Sequence, residues 1–244
     1  MKVSILTAYY NSQKYFKDYI KSIYSQRYND IEIIIVDDCS DDGSAGLLSD
    51  YSRKDDRIKL ICNKQRIGCG GSYAEALEHA SGDICCVLDS DDALISENSL
   101  TKLINKYNQF PNIDYIWTQF WVCTNKLKKI RKGHSSLPDT AFLTAALNNT
   151  KHRHSFSHWR TFRTKLRDKD KIFNKDLKAA VDKWMSYILE EIGSGGFYDE
   201  PLYLYRRREN GLTYKGKKYW KKFIHDFKKK RKLYNITPIL TVKL

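Results

Sequence analysis

Short apolar runs alternate along the chain with segments whose apolar residues recur every three to four positions. Residues 3–7 form a β-branched run, and 31–36 are an almost continuous Ile/Val stretch, the pattern of a parallel strand buried on both faces. Between them Tyr15, Phe16, Tyr19, Ile20, Ile23 and Tyr24 share one face of a helix over 12–26. The same periodicities predict a helix over 45–51, a strand over 58–62, a helix over 70–80 after a glycine-rich loop, a strand over 84–88 and a helix over 100–107. An aromatic strand follows over 114–124, and residues 125–164 have no regular period. A helix over 179–192, an extended segment over 197–206 and a helical apolar face over 219–234 complete the reading. Alternating strands and helices predict an open α/β sheet, which binds ligands outside the carboxyl ends of its strands.

Two of the predicted strands end in acids. The 31–36 strand runs into Asp37 and Asp38, with Ser40, Asp41 and Ser44 close behind, and the 84–88 strand runs into Asp89, Ser90, Asp91 and Asp92. Carboxylates crowded in one turn repel each other, and a hard divalent cation removes that cost while bridging phosphate oxygens. Either cluster alone also reads as a capped, Asx-rich turn. Two of them at the same topological position converge on one crevice, where a carboxylate suits the N3 donor of uracil.

Charge and size change the picture at the C-terminus. The 244 residues suffice for one substantial core with a smaller appendage, and the net charge of +14 is concentrated, with ten Lys or Arg against Asp226 alone between Lys215 and Lys232. Trp220, Phe223 and Phe227 among those lysines make a basic amphipathic helix, suited either to an anionic membrane surface or to packing on the core. The first apolar run is too short for a signal peptide or a bilayer span, and six cysteines without metal-finger spacing read as reduced thiols. A cytoplasmic chain, peripheral at a membrane, is the expectation. A nucleic-acid-binding module would use the charge, but its phosphates would be repelled by the two acidic strand ends.

Six ordered stretches carry a family resemblance: VSILTAYYN (3–11), IIIVDDCSDDGS (33–44), NKQRIGCGG (63–71), GDICCVLDSDD (82–92), AVDKWM around Asp182 and Trp184, and PLYLYRRREN (201–210). The chain resembles the inverting glycosyltransferases of family 2, with the GT-A fold. The resemblance implies a Rossmann-like open mixed sheet, mainly parallel and flanked by helices. Residues 1–213 would form the catalytic domain, with a nucleotide-sugar-binding half (1–107) and an acceptor-binding half (108–213), followed by the basic tail (214–244). It implies a UDP-sugar donor addressed by Thr7, Tyr9, Asp37, Asp38, Arg66, Asp89, Asp92, Arg206 and Arg208, and a manganese or magnesium ion on Asp91. Asp182 would be the base that deprotonates the acceptor hydroxyl. His158, Trp159 and Trp184 would meet a glycan or lipid-linked acceptor. One departure stands out: Arg208 occupies a position where many members carry a histidine, and a guanidinium pairs with phosphate but cannot ligate a cation. A non-catalytic relative that binds sugar nucleotides is compatible with that departure.

Overall fold

The computed structural model describes residues 1–137, 156–168, 172–177, 181–208 and 241–244. The predicted helical face over 219–234, the rest of the basic tail up to residue 240, and His152 and His154 lie outside the described residues.

One mixed sheet organises the chain. Its strands are β1 (Val3–Tyr9), β2 (Ile31–Asp37), β3 (Ile58–Cys62), β4 (Ile84–Val87), β5 (Ala93–Leu94), β6 (Tyr115–Cys123), β7 (Lys129–Lys132), β8 (Arg160–Arg163), β9 (Gly195–Arg206) and β10 (Thr241–Lys243). The order across the sheet is β10-β9-β6-β8-β4-β1-β2-β3, with β5 on β9 and β7 on β6. The helices are α1 (Gln13–Tyr24), α2 (Ser44–Ser52), α3 (Gly68–Glu78), α4 (Ser99–Gln109) and α5 (Val181–Ile192). All six cysteines are free. Among the described residues no helix is long and apolar enough to cross a membrane.

The Ile/Val run of β2 divides its side chains between two cores, as a period of two requires. Ile33 and Ile35 enter the core that includes Phe16, Tyr19 and Ile20 of α1 and Leu103 and Tyr107 of α4. Ile34 and Val36 enter the opposite one, with Tyr73 and Leu77 of α3 and Trp184 and Ile188 of α5. Helices thus cover both faces, which explains why these strands read as unbroken apolar runs.

Strand direction decides where the chemistry gathers. β1 is parallel to β2 and β4, β8 is antiparallel to both β4 and β6, and β9 is parallel to β6. The carboxyl ends of β1, β2, β4, β6 and β9 therefore lie along one edge, together with the start of β8. α5 leads directly into β9 and so returns across the sheet, which leaves its first turn, with Asp182, on that same edge.

Candidate active site along the carboxyl edge of the sheet

Asp89, Asp91 and Asp92 follow β4 directly, as its abrupt end predicts. Asp92 is 1% exposed; its carboxylate accepts hydrogen bonds from the Tyr203 hydroxyl at 2.7 Å and from the Arg206 amide at 2.6 Å. Burial, with Asp91 and Asp89 alongside, pushes the Asp92 carboxyl well above the usual range. Burial also raises that of Asp91, and the nearby Arg208 works against it. Asp89 accepts from the Tyr73 hydroxyl and lies 3.5 Å from the buried guanidinium of Arg160.

Arginines supply the countercharge. Arg208 Nε sits 2.5 Å from Asp91 Oδ2, in keeping with its inability to act as a ligand. Arg206 donates to the Asp91 carbonyl at 2.5 Å, to the Asn125 carbonyl and to Asp18 at 2.9 Å. Both guanidinium groups lie over the Tyr15 ring, at 4.7 Å and 5.5 Å.

Asp89, Asp92 and His158 bring one ligand atom each within 4.8 Å of one another, a group able to hold a metal ion. Asp91, the ligand implied by the resemblance, is engaged by Arg208 and is not in this group. His158, expected at the acceptor, is stacked against Tyr203 at 4.9 Å and Tyr205 at 4.8 Å. Its Nδ1 lies 2.9 Å from Arg160; because Arg160 can only donate, Nδ1 accepts and Nε2 carries the proton in the neutral ring. The nearest carboxylates are thus the readier cation ligands.

A second cluster of side chains lies past the ends of β1 and β2. Asp38 is 3% exposed. Its Oδ1 accepts from the Ile67 amide at 2.8 Å and Asn63 at 3.0 Å, and its Oδ2 accepts from the Gly68 amide at 2.9 Å. A carboxylate has about four acceptor positions, so Asp38 both builds the loop before α3 and keeps acceptor capacity on Oδ2. Gly68 takes φ +80° there, a conformation suited to glycine. Arg66 Nε stands 3.9 Å from Asp38, and the Arg66 guanidinium covers the Tyr10 ring at 3.7 Å. Asp37, 2% exposed, accepts from Ser40.

Thr7 and Tyr9 offer no exposed surface beside this cluster. Both are fully buried, with Thr7 bonded to Tyr19 and to the Leu88 carbonyl and Tyr9 packed against Phe16. Tyr10 is the half-buried aromatic of this cluster. The signal was available in the sequence: Thr7 and Tyr9 continue the Val3, Ile5 alternation into the core, which leaves the next side chain outside it.

Asp182 is half-buried and interacts electrostatically with Arg160, which joins it to the Asp89 side of the cluster. Its helix is held from below. A Cβ on Gly70 would lie 2.2 Å from the Asn174 carbonyl oxygen, and the Gly70 amide donates to Leu177 at 3.2 Å, so α3 packs tightly on the segment that leads to α5. Trp159 is fully buried and Trp184 is 7% exposed. Both rings belong to the cores, and Trp159 has no open face for a sugar. Arg160, which the residue pattern alone did not single out, is the buried cation between Asp89 and His158; its Nε is buried without a hydrogen-bond partner.

Comparisons with known proteins bear on the family and the fold. A glucosyltransferase of Campylobacter jejuni, GalNAc(5)-diNAcBac-PP-undecaprenol beta-1,3-glucosyltransferase, is 36% identical over 109 residues, covering 44% of this chain and 35% of the relative. The matched stretch is thus about a third of that relative's length. Staphylococcus aureus TarS in complex with UDP-GlcNAc superposes with a TM-score of 0.68 at 22% identity, over 87% of this chain and 61% of that one. A mannosyltransferase of Pyrobaculum calidifontis in complex with GDP-Man and Mn2+ superposes with a TM-score of 0.63 at 15% identity, over 86% of this chain and 58% of that one. These likenesses establish the GT-A type of fold. The profile of glycosyl transferase family 2 matches residues 4–173 of the 244, and the chain belongs to that family.

Proposed function

We propose that this chain transfers a sugar from a UDP-sugar to an acceptor hydroxyl with inversion at the anomeric carbon. The observation that carries the reading is the convergence, on one sheet edge, of the Tyr10, Arg66 and Asp38 group with the Asp89, Asp91 and Asp92 cluster. Uracil stacks on Tyr10 and donates its N3 proton to Asp38 Oδ2, and the ribose and diphosphate extend toward Asp89. Arg66, exposed and loosely held, moves from the Tyr10 face to the phosphates.

The cluster fits a divalent cation: hard oxygen donors dominate it, and burial already makes their negative charge costly. Asp89, Asp91 and Asp92 would hold it. A bound Mn2+ or Mg2+ supplies positive charge to the leaving diphosphate. Arg208 neutralises Asp91 and can turn to the phosphates. Asp182 takes the proton of the acceptor hydroxyl as its oxygen attacks the anomeric carbon from the face opposite the diphosphate, so one displacement inverts the centre. A glycan or lipid-linked acceptor suits this geometry, and the undecaprenol-linked substrate in the Campylobacter relative's name is of that kind.

Tyr10→Ala tests the base pocket. A lost stacking platform is expected to weaken UDP binding about tenfold or more, read by calorimetry, with the fold intact by circular dichroism. Tyr9→Phe, at a fully buried ring, is expected to leave UDP affinity unchanged. Arg208→His tests the charge exchange at Asp91: it frees that carboxylate and adds an imidazole, and Mn2+ binding is expected to tighten about tenfold. Unchanged Mn2+ affinity would place the cation away from Asp91.

A further inference from the structure

The β6–β7 hairpin has no part in the chemistry above, yet it concentrates charge. Residues 124–134 (TNKLKKIRKGH) contain Lys126, Lys128, Lys129, Arg131 and Lys132 and no acid. All four residues of β7 are exposed. Ile130, at 55% exposure, is one of two large hydrophobic residues exposed among the described residues. β7 pairs with β6 on one side; Lys129 rests over Trp121 at 5.3 Å and Lys132 reaches Asp199 at 3.2 Å. The turn is built for the position, with Leu127 at φ 57° and Thr124 accepting and donating across it to residues 127 and 128.

The hairpin also belongs to the rim of the site. The Arg207 amide donates to the Cys123 carbonyl at 3.0 Å, and Arg206 donates to Asn125, so its base is fixed to the segment whose Arg208 holds Asp91. It leaves the sheet at the carboxyl edge, the edge that bears the carboxylates.

We propose that this hairpin docks on an anionic phospholipid surface, with its lysines among the headgroups and Ile130 inserted at the boundary. Charge complementarity selects this occupant: a dense cationic strip, in which Lys132 pairs with Asp199, finds a matching surface on a negatively charged leaflet. Lysines on a sheet edge also prevent pairing with another chain, but that role needs neither five cations nor an exposed isoleucine. Docking turns the mouth of the site toward the lipid; this orientation rests on the proposed function, whereas the binding does not.

The test is co-sedimentation of the full chain with phosphatidylcholine vesicles, with and without phosphatidylglycerol, in the absence of any sugar nucleotide. Binding is expected only with the anionic lipid and is expected to fall steeply as salt screens the exposed charges. Each basic residue near such a surface is worth roughly fivefold in partitioning, so Lys126→Gln with Lys128→Gln is expected to weaken binding about 25-fold, and Ile130→Asp to weaken it further. The control is Lys54→Gln with Lys59→Gln, an equal charge change on the opposite part of the sheet, expected to have little effect. UDP affinity, measured on the same variants, is expected to be unchanged, which separates a failure here from a failure of the donor site. Equal losses in the hairpin and control variants would overturn the proposal, as would vesicle binding that survives the hairpin changes. Retention of RNA by the hairpin, without binding to anionic vesicles, would also overturn it.

Discussion

Asp182→Asn is expected to lower the turnover number by about a thousandfold while donor affinity stays within about twofold of the parent, the loss typical of a general base removed without altering shape. The side chain is half-buried in the first turn of α5, and asparagine keeps its volume there, so the local packing is preserved. Turnover and the dissociation constant for UDP must be measured on the same preparation. A fall in both would mean that Asp182 organises the donor site; a fall in neither would remove it from the mechanism. In the proposed mechanism Asp182 acts on the acceptor proton, so the loss belongs to the chemical step and not to donor binding.

Arg206→Ala is expected to be the most destabilising single change at the site, on the order of 3 kcal/mol in urea unfolding. The Arg206 side chain is 2% exposed and satisfies the Asp91 and Asn125 carbonyl oxygens as well as Asp18. Removing it strands two carbonyls and opens a space over Tyr15, whereas Asp18 is exposed enough to recover water. Arg206→Lys is expected to restore less than half of the loss, because an ammonium cannot reproduce the planar fork that reaches three acceptors. Arg208, more exposed, paired with Asp91 and lying over the Tyr15 ring at a longer distance than Arg206, is expected to cost little stability when replaced by alanine, so stability separates the two arginines.

The parts of this fold that the sequence makes legible are those governed by local period. The unbroken Ile31 to Val36 run announces a strand covered on both faces, and the acids after β2 and β4 fall at carboxyl ends because parallel strands end together. β8 is invisible to such a reading: four residues with arginine at both ends become a central strand only through pairing with β4 and β6, contacts distant in sequence. For the same reason the positions of His158 and Arg160 beside Asp89 cannot be inferred from spacing. The Tyr9 and Tyr10 pair shows a different failure. The resemblance pointed to Tyr9, which the structure buries, and the strand's own alternation, followed from Val3 through Tyr9, anticipates that Tyr10 is the side chain left beside Arg66. Trp159 illustrates how an aromatic near a functional region is more often core than contact, since its burial was decided by strand β8.

In the proposed function this edge of the sheet binds and activates a UDP-sugar with the help of a divalent cation. The most direct measurement is nucleotide diphosphate release from a panel of nucleotide sugars, with and without Mn2+, by the parent chain and by Asp91→Ala. Metal-stimulated release of UDP from at least one UDP-sugar is expected, and its loss in Asp91→Ala. No release, together with no calorimetric binding of any UDP-sugar in the presence of Mn2+, would contradict the proposed function.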